Sequence, residues 1–304
     1  MRFHFSASTK LVVLALSVGI GCGGGPGSQL TIPDSPEGTV EVVVNELVQH
    51  QPEIVWRALP PSYQQDVADL TRDFADTVDP AVFDRAVAVA RKGVVVLQGK
   101  KDLILGSAII ERSQVDAETV DIYWETAVHM LDALLASDVA ELSTLRELDV
   151  EAFLATTGSD LMDHASQLPA ENDDMESFGQ RVAALEEANV NLKSEDGDQA
   201  VVMLEVPDQD PTGLRLIRVE DRWIPAELEA QWPRAVAELR AKIELLNGEE
   251  AAQTRVRVLF GIGIVEGFID QIDQMETSDE IDALIGGIIG NIMATQVGAK
   301  VTEG

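Results

Sequence analysis

The chain has 304 residues, a formal net charge of −31 and a single cysteine, Cys22. A field that negative repels nucleic acid and anionic lipid surfaces, and one thiol excludes an internal disulfide framework and a cysteine-based zinc site. Apolar residues make up 45% of the chain and aromatics only 5%, which fits a helix-rich globular protein long enough for a large core and two subdomains.

Residues 1–21 read as an export signal. Arg2 and Lys10 supply positive charge, no acid precedes Cys22, and Leu11 to Val18 form an apolar stretch too short for an ordinary membrane span. The run Gly19-Ile20-Gly21-Cys22 resembles the lipobox of bacterial lipoproteins, with a departure at Gly19, where that family prefers leucine. The resemblance implies cleavage before Cys22, acylation of its thiol and of the new amino terminus, and a membrane-anchored place in the cell envelope. The competing reading is a plain secretory signal in which Cys22 is incidental. Residues 22–36, rich in Gly, Pro and Ser, read as a flexible tether.

From Ser35 onward the pattern is helical. Ser35-Pro36-Glu37 has the order of an N-cap, a first-turn proline and an acid, and Val40, Val43, Val44 and Leu47 follow helical spacing. Pro52 opens a second helix, Ser62 a third, and Asp79-Pro80 a fourth. Val94 to Leu97 and Leu103 to Ile110 are compatible with helix or strand, and the absence of alternation favours helix. A long helix is expected from Asp116 or Glu118 to Leu135 and another from Asp149 to about Leu168; a polar break over 169–177 precedes a helix resuming at Phe178. The period then changes to two. Val190–Leu192, Val201–Val206 and Leu214–Val219 read as strands, Asp196-Gly197 as a hairpin signal, Glu220-Asp221 as a turn, and Arg222 to Pro225 as the end of a meander. Helices follow over 227–246, 250–275 and 278–297. The expected fold is α+β, predominantly α-helical, with one small antiparallel β-meander at about 188–225. Its expected organisation is a helical domain over 37–185 and a meander with C-terminal helices over 186–300, packed on it.

Two resemblances accompany this pattern. LPPSYQQDVADLTRDFA, DPAVFDRAVAVARKGVVVLQGKKDLIL, and VEDRWIP with QWPRAVAELRAKI resemble uncharacterised lipoproteins of planctomycete bacteria, over most of the exported chain. More distantly, SPEGTVEVVVNELVQHQPEIVWRALPPSYQ and the VEDRWIP meander are similar to exported members of the nuclear-transport-factor-like, cystatin-like α+β superfamily. That similarity implies paired helices on a curved antiparallel sheet. Here more than a hundred mostly helical residues separate the two parts.

Few residues invite chemistry. Glu125, His129 and Asp132 share one helix face and form a candidate divalent-metal or general-base set; a surface charge pair is the plainer account. Asp208, Asp210 and Gly213 partly match a calcium loop, but Thr212 and Val219 stand where ligands are needed. Arg91, Lys92, Lys100 and Lys101 form a basic cluster suited to an acidic polymer or headgroup, or simply to solvated helix ends. Trp56, Tyr63, Tyr123, Trp124, Trp223 and Trp232 would line a ligand cleft or fill a core. Ser159 lacks the flanking glycine of a nucleophile elbow, and no catalytic triad or cofactor motif is apparent. Ile281, Leu284, Ile285, Ile288, Ile289, Ile292 and Met293 form an apolar stripe that needs a cover: the protein's own core, a partner, or a bilayer surface. The function expected is that of a non-enzymatic envelope lipoprotein, anchored through Cys22, that binds or scaffolds another envelope component without nucleic acid or cofactor. The alternative is a small-ligand-binding module with an apolar cleft between sheet and helices; a hydrolase comes third.

Overall fold

A computed structural model of the protein describes residues 31–108, 117–170, 176–247, 249–284 and 286–287. Cys22 and residues 1–21, read above as an export signal, lie outside these, as do Ile285 and the stripe residues from Ile288 on. The architecture is α+β and mostly helical, with one four-stranded antiparallel sheet in the order β1-β2-β3-β4.

Each opening helix starts where its sequence dictates. α1 (Pro36–Val48) is capped by Ser35, whose hydroxyl accepts from the Gly38 N–H at 3.1 Å. α2 (Glu53–Ala58) and α3 (Pro61–Thr77) follow. α3 starts at Pro61, one residue before the expected Ser62, since a proline at that position gives up an N–H that had no helical partner. Asp79 caps α4 (Pro80–Gly99) by accepting from the Val82 N–H at 3.1 Å. Of the two ambiguous apolar runs, Val94 to Leu97 lies within α4, while only Leu103 to Leu105 of the second is in α5 (Lys101–Leu105), which ends at a turn at Gly106.

The sheet is the strongest local signal made visible. β1 (Asn189–Asp196) and β2 (Gln199–Glu205) meet through Gly197 and Asp198, with Gly197 at φ +60°. β3 (Thr212–Val219) joins β4 (Arg222–Pro225) through Glu220 and Asp221, at φ +50° and +62°. Both residues of that turn are forced into the left-handed region because a two-residue hairpin must match the strands' twist. Period-two alternation sends Ala200, Val202, Leu204, Leu214, Leu216 and Trp223 to one face, where they pack on Val40 and Val44 of α1. The other face, at β3 and β4, places Ile217, Val219 and Ile224 against Leu59, Tyr63 and Trp232. Trp232 belongs to α11 (Ala226–Glu244). Among the described residues, helices therefore pack on both faces of this half of the sheet.

The remaining helices form a second layer. α6 (Ala117–Ala136) precedes α7 (Leu142–Leu145). The single helix expected from Asp149 to Leu168 is in fact α8 (Val150–Phe153), a π-helical turn at 154–158 and α9 (Ser159–Ser166). Gly158 explains the interruption. A Cβ there would lie 3.2 Å from Pro52 Cγ, so its lack of a side chain lets the segment press against the start of α2. α10 (Phe178–Ala184) opens with a capping box between Ser177 and Gln180. α12 (Glu249–Gln274) is followed by helical residues 278–284, where Ile281 is 2% exposed. No described helix is long and apolar enough to cross a membrane.

Candidate functional site

α12 lies alongside α4, and a row of polar bridges spans the two. Arg255 Nη1 is 2.6 Å from Asp79, Arg85 pairs with Glu266, Lys92 with Asp270, and Lys100 donates to the Met275 carbonyl at 2.9 Å. The partners rise in number together, so the helices run parallel. On the third side, Arg91 donates to the Leu135 carbonyl at 3.0 Å and fastens α4 to α6. Between these fastenings a groove of about 530 Å³ remains, lined by Val89, Leu97, Leu135, Val258, Ile262 and Ile269 among others, with no polar side chain in its wall.

The spacing on α12 explains this. Val258, Ile262, Val265 and Ile269 recur at four, three and four, and form the groove wall. Val256, Phe260 and Ile264 stand four apart on the opposite side, 67%, 71% and 45% exposed. A helix that is apolar on opposite faces is ordinarily surrounded. Here one face borders an open groove and the other meets solvent. Gly263 and Gly267 leave open space along the outer face.

The residues singled out from sequence are mostly occupied otherwise. Glu125 Oε2 is 3.8 Å from His129 Nε2, but Lys101 bridges Glu125 and Asp121, and His129 stacks on His164 with ring centres 5.1 Å apart. Hydrogen bonds to Asp121 and Glu125 raise the Lys101 pKa above its usual value, so the ammonium stays charged and holds both carboxylates. Among the described residues, Glu125, His129 and Asp132 included, no group of three His, Cys, Asp or Glu is arranged to hold a metal ion. Thr212 and Gly213 of the partial calcium loop belong to β3. The four cations of the basic cluster serve the helix fastenings just described. Trp56, Tyr63 and Trp232 pack around Ile224, with Trp232 stacked on Tyr63 at 4.3 Å, while Trp223 lies in the core on the other sheet face. Burial raises the Tyr63 pKa, as expected of a core phenol.

One constellation escaped the sequence. His50 Nδ1 bonds to Asp163, and its Nε2 lies 3.2 Å from Ser166 Oγ. The order is serine, histidine, carboxylate, and the serine hydroxyl has a second acceptor in the Met162 carbonyl. A serine nucleophile gives its proton to the imidazole, whereas Ser166 Oγ donates to the Met162 carbonyl at 2.8 Å. Ser159 Oγ also donates to the His50 carbonyl at 2.7 Å. Together these bonds clamp the end of α1 to α9 and hold His50 at φ +55°. Ser159 thus has a structural task.

The groove and the outer face of α12 are therefore apolar features that packing within the described residues leaves open. No protein-family profile, no curated protein and no solved structure matches the chain.

Proposed function

We propose that this protein is a non-enzymatic lipoprotein of the bacterial cell envelope, anchored through Cys22, that binds or scaffolds another envelope component through the outer face of α12. The observation that carries the reading is the row Val256, Phe260 and Ile264, large apolar side chains held in solvent on a 26-residue helix. Single exposed apolar residues are ordinary; a row continuous along one helix marks an interaction surface. An aromatic at its centre is the kind of residue that dominates binding energy. Among the described residues Val202 and Trp223 on one face of the sheet and Ile224 on the other are buried under helices.

A photo-crosslinking amino acid placed at Phe260 in intact cells tests the reading. A discrete adduct is expected, absent when the probe is moved to exposed Glu244 on α11. Equal or no crosslinking at both positions rejects the surface. The anchor is tested separately: Cys22→Ser is expected to release the protein from membranes or leave it unprocessed, and unchanged partition and processing reject it.

A further inference from the structure

We infer that α12 is a strap held on α4 by ion pairs, and that raised ionic strength lifts it. The lifting is a property of the chain alone. Its use, to offer both apolar rows of α12 to one partner, rests on the reading above.

Three observations argue for a hold of this kind. The first is how little α12 buries. No residue from Gln253 to Gln274 is buried, although ten of them are Val, Leu, Ile or Phe. A helix of that composition is ordinarily fixed by sinking one apolar stripe into a core, yet Val258, on the groove wall, is 41% exposed. Ile269 does reach α4 at Gly93, where an added Cβ would lie 3.4 Å from its Cδ1, but both residues stay half-buried.

The second is the row of ion pairs. α4 supplies Asp79, Arg85 and Lys92; α12 answers with Arg255, Glu266 and Asp270. Each of these six side chains is at least 29% exposed, so dissolved ions reach all of them. The hydrogen bond to Asp270 raises the Lys92 pKa, with Glu266 and Asp273 adding to it, so the surface that α12 turns to Lys92 is acidic along its length.

The third is the make-up of the strap and its ends. Gly261, Gly263 and Gly267 weaken a free helix, and an added Cβ at any of them meets nothing within 4 Å, so close packing does not require them. Beyond α12, Lys100 donates to the Met275 carbonyl and Ile281 is 2% exposed; before it, the turn at Leu245 to Asn247 leads from α11. The strap therefore lifts between two attached ends.

Salt distinguishes this hold from an apolar one by sign. The Debye length falls from about 30 Å at 0.01 M to about 3 Å at 1 M, which weakens exposed ion pairs. The same salt relieves the self-repulsion of a chain with net charge −31, so a helix held by apolar contacts would be tightened.

The experiment is hydrogen–deuterium exchange of the full chain, read by mass spectrometry at fixed pH in about 0.01 M and 1 M sodium chloride. Amides of residues 256–272 are expected to exchange at least fivefold faster in 1 M salt, while those of β2 and β3 change less than twofold. Lys92→Glu should bring the fast exchange at low salt, and Lys92→Glu combined with Asp270→Lys should slow it again at least threefold. If the single variant fails to fold, the salt comparison on the unaltered chain decides alone. A smaller rise in α12, a slowing, an equal rise in β2 and β3, or a folded charge swap without recovery would overturn the proposal. Absent crosslinking at Phe260 would leave the salt result intact, and an unmoved α12 would leave the Phe260 surface standing, so the two readings fail separately.

Discussion

Trp223 shows how much one residue organises. Its ring is 3% exposed between β4 and α1, and its Nε1 donates to the Asp34 carbonyl at 2.7 Å. Burial of a large aromatic and satisfaction of its single donor coincide. Trp223→Ala is expected to lower stability by about 3–5 kcal/mol, read as a shift in the urea midpoint; a loss below about 1 kcal/mol would show that the cavity collapses or the ring is dispensable. Its inward position was legible from its place at the close of the meander, opposite the Leu214–Val219 strand, but its bond was not, because Asp34 is 189 positions away. The same limit hid the His50 clamp. His50 and Asp163 are 113 residues apart, and nothing in either neighbourhood marks a histidine held at positive φ.

At the scale of elements, legibility followed the strength of local rules. Prolines and capping side chains fixed the starts of α1 and α4, and the Ser177 capping box the start of α10. The hairpins followed Asp196-Gly197 and Glu220-Asp221. The π-helical turn was invisible because its cause is the proximity of Pro52 to Gly158, a tertiary contact. The groove was invisible for a related reason. The sequence shows that α12 is apolar, but whether neighbouring helices close over that surface depends on where Asp79, Arg85 and Lys92 hold it. A consequence follows for Phe260. At 71% exposure it contributes little to the fold, so Phe260→Asp is expected to change stability by no more than about 0.5 kcal/mol while weakening capture of the proposed partner. A stability loss above about 2 kcal/mol would mean that Phe260 is a core residue and the surface assignment is wrong.

The whole molecule carries its negative charge unevenly in effect, because some carboxylates are tied down. The Arg215 guanidinium holds the Glu227 carboxyl below its ordinary value of 4.5. The Ser62 N–H does the same for Glu220, and the N–H groups of Glu276 and Thr277 for Glu280. Because each folded pKa is depressed, each contributes stability that is fully present above the unfolded value and is lost as the pH falls through the folded one. The urea midpoint is accordingly expected to fall on acidification below 4.5, and less steeply in Glu227→Gln. An identical acid dependence in that variant would show that Arg215 gives no net stabilisation.

The Asp34 bond has a further meaning if the chain is held at its amino-terminal end. Tension along that end would reach the fold near Pro33, whose carbonyl accepts from the Thr39 hydroxyl at 3.0 Å, next to the indole bond to Asp34 and the Ser35 cap. Three fastenings within three residues share the load, and the indole passes part of it directly into β4. The point of attachment is thus stitched to the sheet as well as to α1, so a steady pull has to break several bonds together before it can peel the first helix. In single-molecule pulling from the amino terminus, Trp223→Phe, which keeps the ring and removes the stitch, should yield at lower force than the parent chain.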